Sequence, residues 1–350
     1  MRIAQIAPLT EAVPPKLYGG TERVVSYITE ELVRMGHDVT LFASGDSITA
    51  AHLEAAWPKA LRFDTDLRDA QAPHVLQLEK VYQQAEAFDI LHFHMDYVPF
   101  PLFSRHRTPF VTTLHGRLDL PELQPIFSAY RNVPVVSISD SQRRPLPQAN
   151  FVRTVYHGLP AHLLTPTSVK PQYLAFLGRI APEKSPDRAI RIARRAGIPL
   201  KIAAKVDRVD EGYYREKIRP MIDGRHVELV GEIGDAEKSD FLSGALALLT
   251  PIDWPEPFGL VMIEAMACGT PVIAFNRGSV PEVIDHGVTG FIVEDEPGAV
   301  AAVARASSLS RSKIRHCFER RFTAQRMAED YVVLYESLAR EQRPRLRAVT

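Results

Sequence analysis

Cysteine is nearly missing from this 350-residue chain, which has only Cys268 and Cys317. Two thiols build neither a disulfide framework nor a zinc ribbon, and their scarcity suits a compartment where thiols stay reduced. Net charge is missing too, because 42 Lys and Arg balance 42 Asp and Glu. The basic residues are not interleaved with aromatics and show no helix-turn-helix or zinc-finger spacing, so no nucleic-acid partner is expected. No stretch approaches the roughly 18 apolar residues that a membrane helix needs. The apolar opening Met1–Leu9 carries one basic residue and stops at Thr10 and Glu11. That is too short for a secretion signal and reads as a buried strand. A third glycine is also absent: Gly19-Gly20 lies far beyond Ala7, which argues against a dinucleotide dehydrogenase. What is present is a 45% hydrophobic composition, enough for a sizeable core, over a length that suits about two domains.

The balanced charge hides a gradient. Residues 1–160 hold 15 basic and 17 acidic side chains, residues 170–225 hold 14 and 7, and residues 311–350 hold 10 and 5. The middle segment is where an anionic ligand would be welcome. Within it, Arg188, Arg191, Arg194 and Arg195 read as the solvated face of one helix. The basic end of the chain, with a polar tail from Arg340, is the candidate for weak contact with the inner face of a membrane, testable by salt-dependent liposome sedimentation.

Short apolar runs alternate with helical patterns. Arg2–Ala7 and Val39–Ala43 read as strands, with a helix between them from an N-cap at Thr21 to Gly36. Further strands are expected at Asp89–Phe93, Phe110–Leu114 and Val133–Ile138, and in the segment Val152–Tyr156. Residues 159–171 have three prolines and no period, as a linker would. The rhythm then restarts. Strands are expected at Tyr173–Leu177, Leu200–Val206, Val227–Val230, Ala245–Thr250 and Val272–Phe275, and helices at Ser185–Ala196, Ala236–Gly244 and Phe258–Ala267. The fold class is therefore α/β, with two doubly wound sheets that each bind ligand at the carboxyl ends of their strands. Such a pair places a cleft between two domains.

The segment from Asp253 to Ala274 concentrates the chemistry. Pro255 and Pro257 hold Glu256 on a rigid turn, Gly259 permits close approach of backbone, and a helix follows at once. The first N–H groups of that helix are unpaired and suit an anion. Glu264 lies further along among Val261, Ile263, Ala265 and Met266. A carboxylate in such company needs a specific partner, and two ribose hydroxyls fit that need better than a salt bridge across a helix.

These residues resemble the signature of the retaining nucleotide-sugar glycosyltransferases of family 4. Glu256 and Glu264 fill its Glu-x7-Glu pattern, with Pro-Phe-Gly between them and Ala-x-x-Cys-Gly-Thr-Pro-Val after. Gly178-Arg179 with Lys184 is similar to the family's Gly-Arg-x4-Lys loop. Gly278–Glu282, Gly287–Phe291 and Tyr18-Gly-Gly-Thr-Glu22 resemble further units of the family. The resemblance implies the GT-B fold: an acceptor-side Rossmann-like domain over 1–160, a nucleotide-sugar domain over 161–322, and a C-terminal helix and tail over 323–350 that packs back on the first domain.

The resemblance also implies roles. Arg179 and Lys184 would bind the donor diphosphate and neutralise the leaving group. Glu264 would hold the ribose hydroxyls. Glu256 would sit beside the donor sugar, with Phe258 and Gly259 offering backbone N–H groups and Leu260 next in the same site. Gly20 would let the first loop approach the diphosphate. His115, at a strand end before Gly116, matches a histidine near the donor sugar, so His115, Glu256, Arg179 and Lys184 form the catalytic set. The implied reaction moves a hexose from a UDP- or GDP-sugar to a hydroxyl of a small molecule, glycan or lipid-linked acceptor, in the cytoplasm or at the membrane's inner face. It uses no cofactor and no metal.

Other readings compete. His92, His94 and Asp96 share a strand face and could ligate a metal, but no second cluster of ligands supports them. A nucleotide-sugar epimerase or hydrolase would use the same donor pocket. A two-lobed solute-binding protein would need an export signal. The chain also departs from the family's pattern at Tyr156-His157-Gly158-Leu159. The segment from Ser139 to Pro147 is too rich in proline for the helix expected after its strand.

Overall fold

The computed structural model describes residues 1–16 and 19–342. The chain divides into two compact units, one of residues 1–158 with the C-terminal segment from Ala324, the other of Leu159–Thr323.

The first unit is built on seven strands: β1 (Arg2–Ile6), β2 (Asp38–Ser44), β3 (His52–Trp57), β4 (Ile90–Phe93), β5 (Phe110–Thr113), β6 (Pro134–Ser137) and β7 (Asn150–Thr154). All pair in parallel, in the order β3-β2-β1-β4-β5-β6-β7. Parallel strands are covered on both faces, which is why they read as apolar runs. On one face, Ala4 and Ile6 join Phe42, Leu91 and Phe93 in the core. On the other, Gln5 stands in register with His92. The C-terminal helix Ala324–Gln342 belongs to this unit, as expected, and buries Tyr331 and Tyr335.

The second unit has six parallel strands: β8 (Tyr173–Arg179), β9 (Leu200–Lys205), β10 (Val227–Gly231), β11 (Ala245–Thr250), β12 (Val272–Phe275) and β13 (Gly290–Val293). Their order is β10-β9-β8-β11-β12-β13. In both units the chain lays strands to one side of the first and then returns to its other side. The switch points lie between β1 and β4 and between β8 and β11, where open α/β sheets receive ligands.

Several details differ from expectation. The first helix is Gly20–Arg34, so Thr21 lies inside it and Gly19 takes the N-cap position. Gly19 packs so closely on Pro15 that a side chain there would collide. The helix expected at Phe258 begins at Leu260 with Gly259 as its left-handed N-cap, because φ of +81° interrupts the helical backbone. A one-turn helix, Asp140–Arg143, does follow β6; the Ser139 hydroxyl accepts from the Gln142 N–H at 3.1 Å, and Pro145 and Pro147 come only after it. The four arginines on helix Pro186–Ala196 are half-exposed but paired: Arg188 with Asp253, Arg191 with Asp187 and Glu296, Arg194 with Asp223, and Arg195 with Glu296. Tyr18 and the tail beyond Gln342 lie outside the described residues.

Candidate functional site

In the second unit, the loops after β8 and β11 meet at the switch point. The chain leaves β8 through a turn over Pro182–Lys184, with Ser185 left-handed at φ +52° before helix Pro186–Ala196. Ser185 sits at the expected N-cap position, although its hydroxyl donates to the Pro182 carbonyl at 3.0 Å instead of capping the helix. The Asp253 N–H donates to the Glu183 carbonyl at 3.1 Å, which ties the two loops together. Lys184 Nζ then pairs with the Glu256 carboxylate. Trp254 Nε1 donates to the same Glu256 oxygen at 2.8 Å, and Lys184 Nζ lies 5.3 Å from the Trp254 ring centroid.

The turn bearing Glu256 is braced from behind by the loop after β12. The Ser279 N–H donates to the Glu256 carbonyl at 3.0 Å, and the Ser279 hydroxyl donates to the Phe258 carbonyl at 2.8 Å. Gly278, at φ +54°, lies so close that a Cβ would enter the van der Waals envelope of the Glu256 amide and carbonyl. Gly278→Ala therefore combines left-handed strain with a backbone collision and should destabilise the unit by about 3 kcal/mol. Chemical denaturation checks this; an unchanged midpoint would contradict the packing described.

Arg179 does not join Glu256. It pairs with Glu183, and with Asp207 at 3.7 Å and Asp210 at 3.3 Å. Arg179, Lys184 and Lys205 thus face Glu183, Asp207, Asp210 and Glu256.

Glu264 is 4% exposed and accepts from Lys238 Nζ at 2.7 Å, while Lys238 also meets Asp235 at 3.2 Å. The salt bridge that looked less favourable in the sequence is present. It reaches a different helix, Asp235–Ser243, and that partner lets the carboxylate stay buried.

In the first unit, the residues that follow β4 and β5 gather imidazoles. His94 Nδ1 and His115 Nε2 are 2.9 Å apart, and the His115 and His157 rings stack with centroids 5.2 Å apart. Burial holds His92, His94 and His157 well below the usual imidazole range and pushes His115 down to about 3. All four rings are neutral at pH 7. His115 Nδ1 is buried and has no hydrogen-bond partner. Asp96, whose carboxyl meets the His115 backbone N–H, is in left-handed backbone, φ +48°, and its Oδ1 is also buried without a partner. Burial raises the Asp96 carboxyl to about 6, against a smaller opposing pull from the His115 backbone N–H.

Both atoms are left open to hydrogen bonds from a ligand. The sequence suggests Asp96 only as a metal ligand; its place in the loop just beyond β4 is the signal for a binding role. His92, the second member of that proposed metal set, spends its nitrogens on Tyr335 at 2.6 Å and Thr113 at 2.7 Å. Among the described residues no group of three His, Cys, Asp or Glu side chains could hold a metal ion. A raised carboxyl pKa is a cost that grows with pH. Its stabilising share is complete below about 4 and lost as pH rises through about 6, on the order of 2–3 kcal/mol for Asp96. Asp96→Asn should therefore melt higher than the parent at pH 7.5, with the gap narrowing toward pH 5. A lower melting temperature at pH 7.5 would contradict this.

Of the remaining expected residues, Phe258 is buried at 2%, and Gly259 and Leu260 open helix Leu260–Ala267 beside Glu256. Gly20 is the first residue of helix Gly20–Arg34 in the other unit.

Two parallel Rossmann-like sheets, each with polar residues at its switch point, define the GT-B class of fold. Residues 18–177 match the model of Glycosyltransferase Family 4 and residues 165–321 that of Glycosyl transferases group 1. The chain belongs to glycosyltransferase family 4. The D-inositol 3-phosphate glycosyltransferase of Rhodococcus erythropolis is 32% identical over 185 residues, 45% of this chain and only 40% of that protein. The N-acetyl-alpha-D-glucosaminyl L-malate synthase of Bacillus anthracis is 25% identical over 369 residues, 93% of this chain and 96% of that one. The structure of HepE from Anabaena in complex with UDP-glucose shares the fold, with a TM-score of 0.71 at 18% identity over 96% of this chain and 100% of that one. No helix among the described residues is long and apolar enough to cross a membrane.

Proposed function

We propose that the chain moves a hexose from a UDP- or GDP-sugar to an acceptor hydroxyl with retention of anomeric configuration. The reading rests above all on the meeting of Lys184 and Glu256 at the switch point between β8 and β11. Lys184, with Arg179 beside it, would take the donor diphosphate, and the first N–H groups of helix Leu260–Ala267 would add their partial positive charge. Glu264 would turn its carboxylate from Lys238 to share it with the ribose hydroxyls.

The sequence supplies no carboxylate pair arranged for a double displacement, so a front-face path is favoured. The acceptor oxygen bonds to the anomeric carbon on the face the diphosphate leaves, and a departing phosphate oxygen takes the acceptor's proton. Cationic neutralisation of that leaving group is the help the step needs. Asp96 Oδ1 and His115 Nδ1, both bare acceptors, would receive hydroxyl hydrogens of the sugars. The nucleotide-sugar donor is also in keeping with the UDP-glucose bound by HepE.

The test is proton NMR of the anomeric signals during turnover. An α-linked donor should yield an α-linked product and free nucleoside diphosphate. A β-linked product would overturn retention, and an epimerised nucleotide sugar with no glycoside would favour the epimerase instead.

A further inference from the structure

A buried hydrogen-bond chain runs through the first unit from the C-terminal helix to His115. Tyr331 OH meets Thr113 Oγ1 at 2.8 Å, and Thr113 Oγ1 meets His92 Nε2 at 2.7 Å. His92 Nδ1 meets Tyr335 OH at 2.6 Å, and Gln5 Nε2 donates to the same hydroxyl at 3.1 Å. Gln5 Oε1 lies 2.8 Å from His94 Nε2, whose ring passes the chain to His115 at 2.9 Å. Gln5, His92 and Thr113 are fully buried, as is Tyr335, and His94 is 3% exposed.

In such a chain each link dictates the next, because a neutral imidazole has one N–H and one bare nitrogen. Gln5 is the one member whose two ends differ in kind: its NH2 only donates and its carbonyl only accepts. With the carbonyl toward His94, His94 must donate from Nε2 and accept at Nδ1. His115 must then donate from Nε2, which leaves its Nδ1 bare. On the other side the Gln5 NH2 occupies the Tyr335 oxygen, so the Tyr335 O–H points at His92 Nδ1, and His92 Nε2–H points at Thr113. Turning the amide over would reverse every link and put a hydrogen on His115 Nδ1. That nitrogen has no partner, and a buried orphan N–H is rarer in folded proteins than an under-used acceptor. The order with Nδ1 bare is the one the resting protein favours.

We propose that Gln5 is a positioning residue that sets the tautomer of His115, so that its free nitrogen accepts a hydrogen from a substrate hydroxyl. The use of that nitrogen by a hydroxyl rests on the function proposed above; the tautomer does not. Tyr335 holds the far end of the amide, which gives the C-terminal helix a part in the chemistry at the end of β5.

The experiment is long-range nitrogen–proton correlation NMR on the ligand-free, full-length protein labelled at histidine, at pH 7.5, with His115 assigned by its loss in His115→Ala. The parent protein should show His115 with a pyrrole-like Nε2 and a pyridine-like Nδ1. In Gln5→Met, which fills similar space without hydrogen bonds, the Nδ1 signal should shift toward the pyrrole-like position as the second tautomer becomes populated. A pyrrole-like Nδ1 in the parent protein, or a Gln5→Met spectrum with His115 unchanged, would overturn the proposal. The parent spectrum decides even if Gln5→Met does not fold. Loss of the proposed transferase reading would leave these shifts as measured, so the two failures are distinguishable.

Discussion

Lowering the pH from 7.5 to 5.5 should destabilise the first unit through four histidines, by about 1.4 kcal/mol for each ring that stays neutral over that interval. His92, His94, His115 and His157 are all held below the ordinary imidazole range by burial. A depressed pKa means that the unfolded chain binds the proton more tightly than the folded one. The stability these groups contribute is complete above their unfolded pKa of roughly 6.5 and is lost as pH falls toward the folded values. Each ring contributes about 1.4 kcal/mol per pH unit once the unfolded chain is protonated. Asp96 works in the opposite sense, regaining about 1 kcal/mol over the same interval because its carboxyl is raised to about 6. The histidines outweigh Asp96, and a net loss of even a few kcal/mol is a large part of the stability of an ordinary domain. Denaturant titration at the two pH values measures it. Equal stabilities at pH 7.5 and 5.5 would mean that the rings are not buried neutral.

Lys184→Ala should lower kcat by about 10²–10³-fold, the range seen when one group that stabilises developing negative charge is removed. The substitution also releases Glu256, whose carboxylate would keep only the Trp254 N–H among the two contacts described. The unit should nonetheless stay folded, because Lys184 is partly exposed and belongs to no core cluster. Steady-state rates of nucleoside diphosphate release, beside a melting curve, separate the two effects. Full turnover in the variant would sink the assignment of Lys184 to the diphosphate.

The parallel strands were legible because burial on both faces writes them as apolar runs between Gly, Pro and Asp. β3 was missed: it is an edge strand, His52–Trp57, with His52 exposed and only Ala56 fully buried. Helix Gln71–Gln84 was missed for a similar reason, since Pro73, Gln77 and Val81 are its only buried residues and form a thin stripe. At the site, Lys184, Glu256, Gly259 and Glu264 could be read because a loop between a strand end and a helix start leaves a local pattern. Lys238 could not, because the partner of Glu264 lies 26 residues away on another helix and no spacing links them. Gln5 did leave a signal: it is a polar residue between the apolar, buried Ala4 and Ile6 of β1. A buried amide of that kind must be hydrogen-bonded, and its partners, His94 and Tyr335, lie 89 and 330 residues away in sequence, where no spacing links them.

The central claim is that the second unit holds a nucleoside diphosphate sugar through Lys184. A ligand that binds only the folded state raises the melting temperature by mass action. The most direct measurement is a thermal-shift series with UDP-glucose, UDP-N-acetylglucosamine and GDP-mannose on the parent protein and on Lys184→Ala. The account predicts that at least one of the three raises the melting temperature of the parent and that this rise is lost or much reduced in Lys184→Ala. No shift with any of the three, or an equal shift in both proteins, would contradict it.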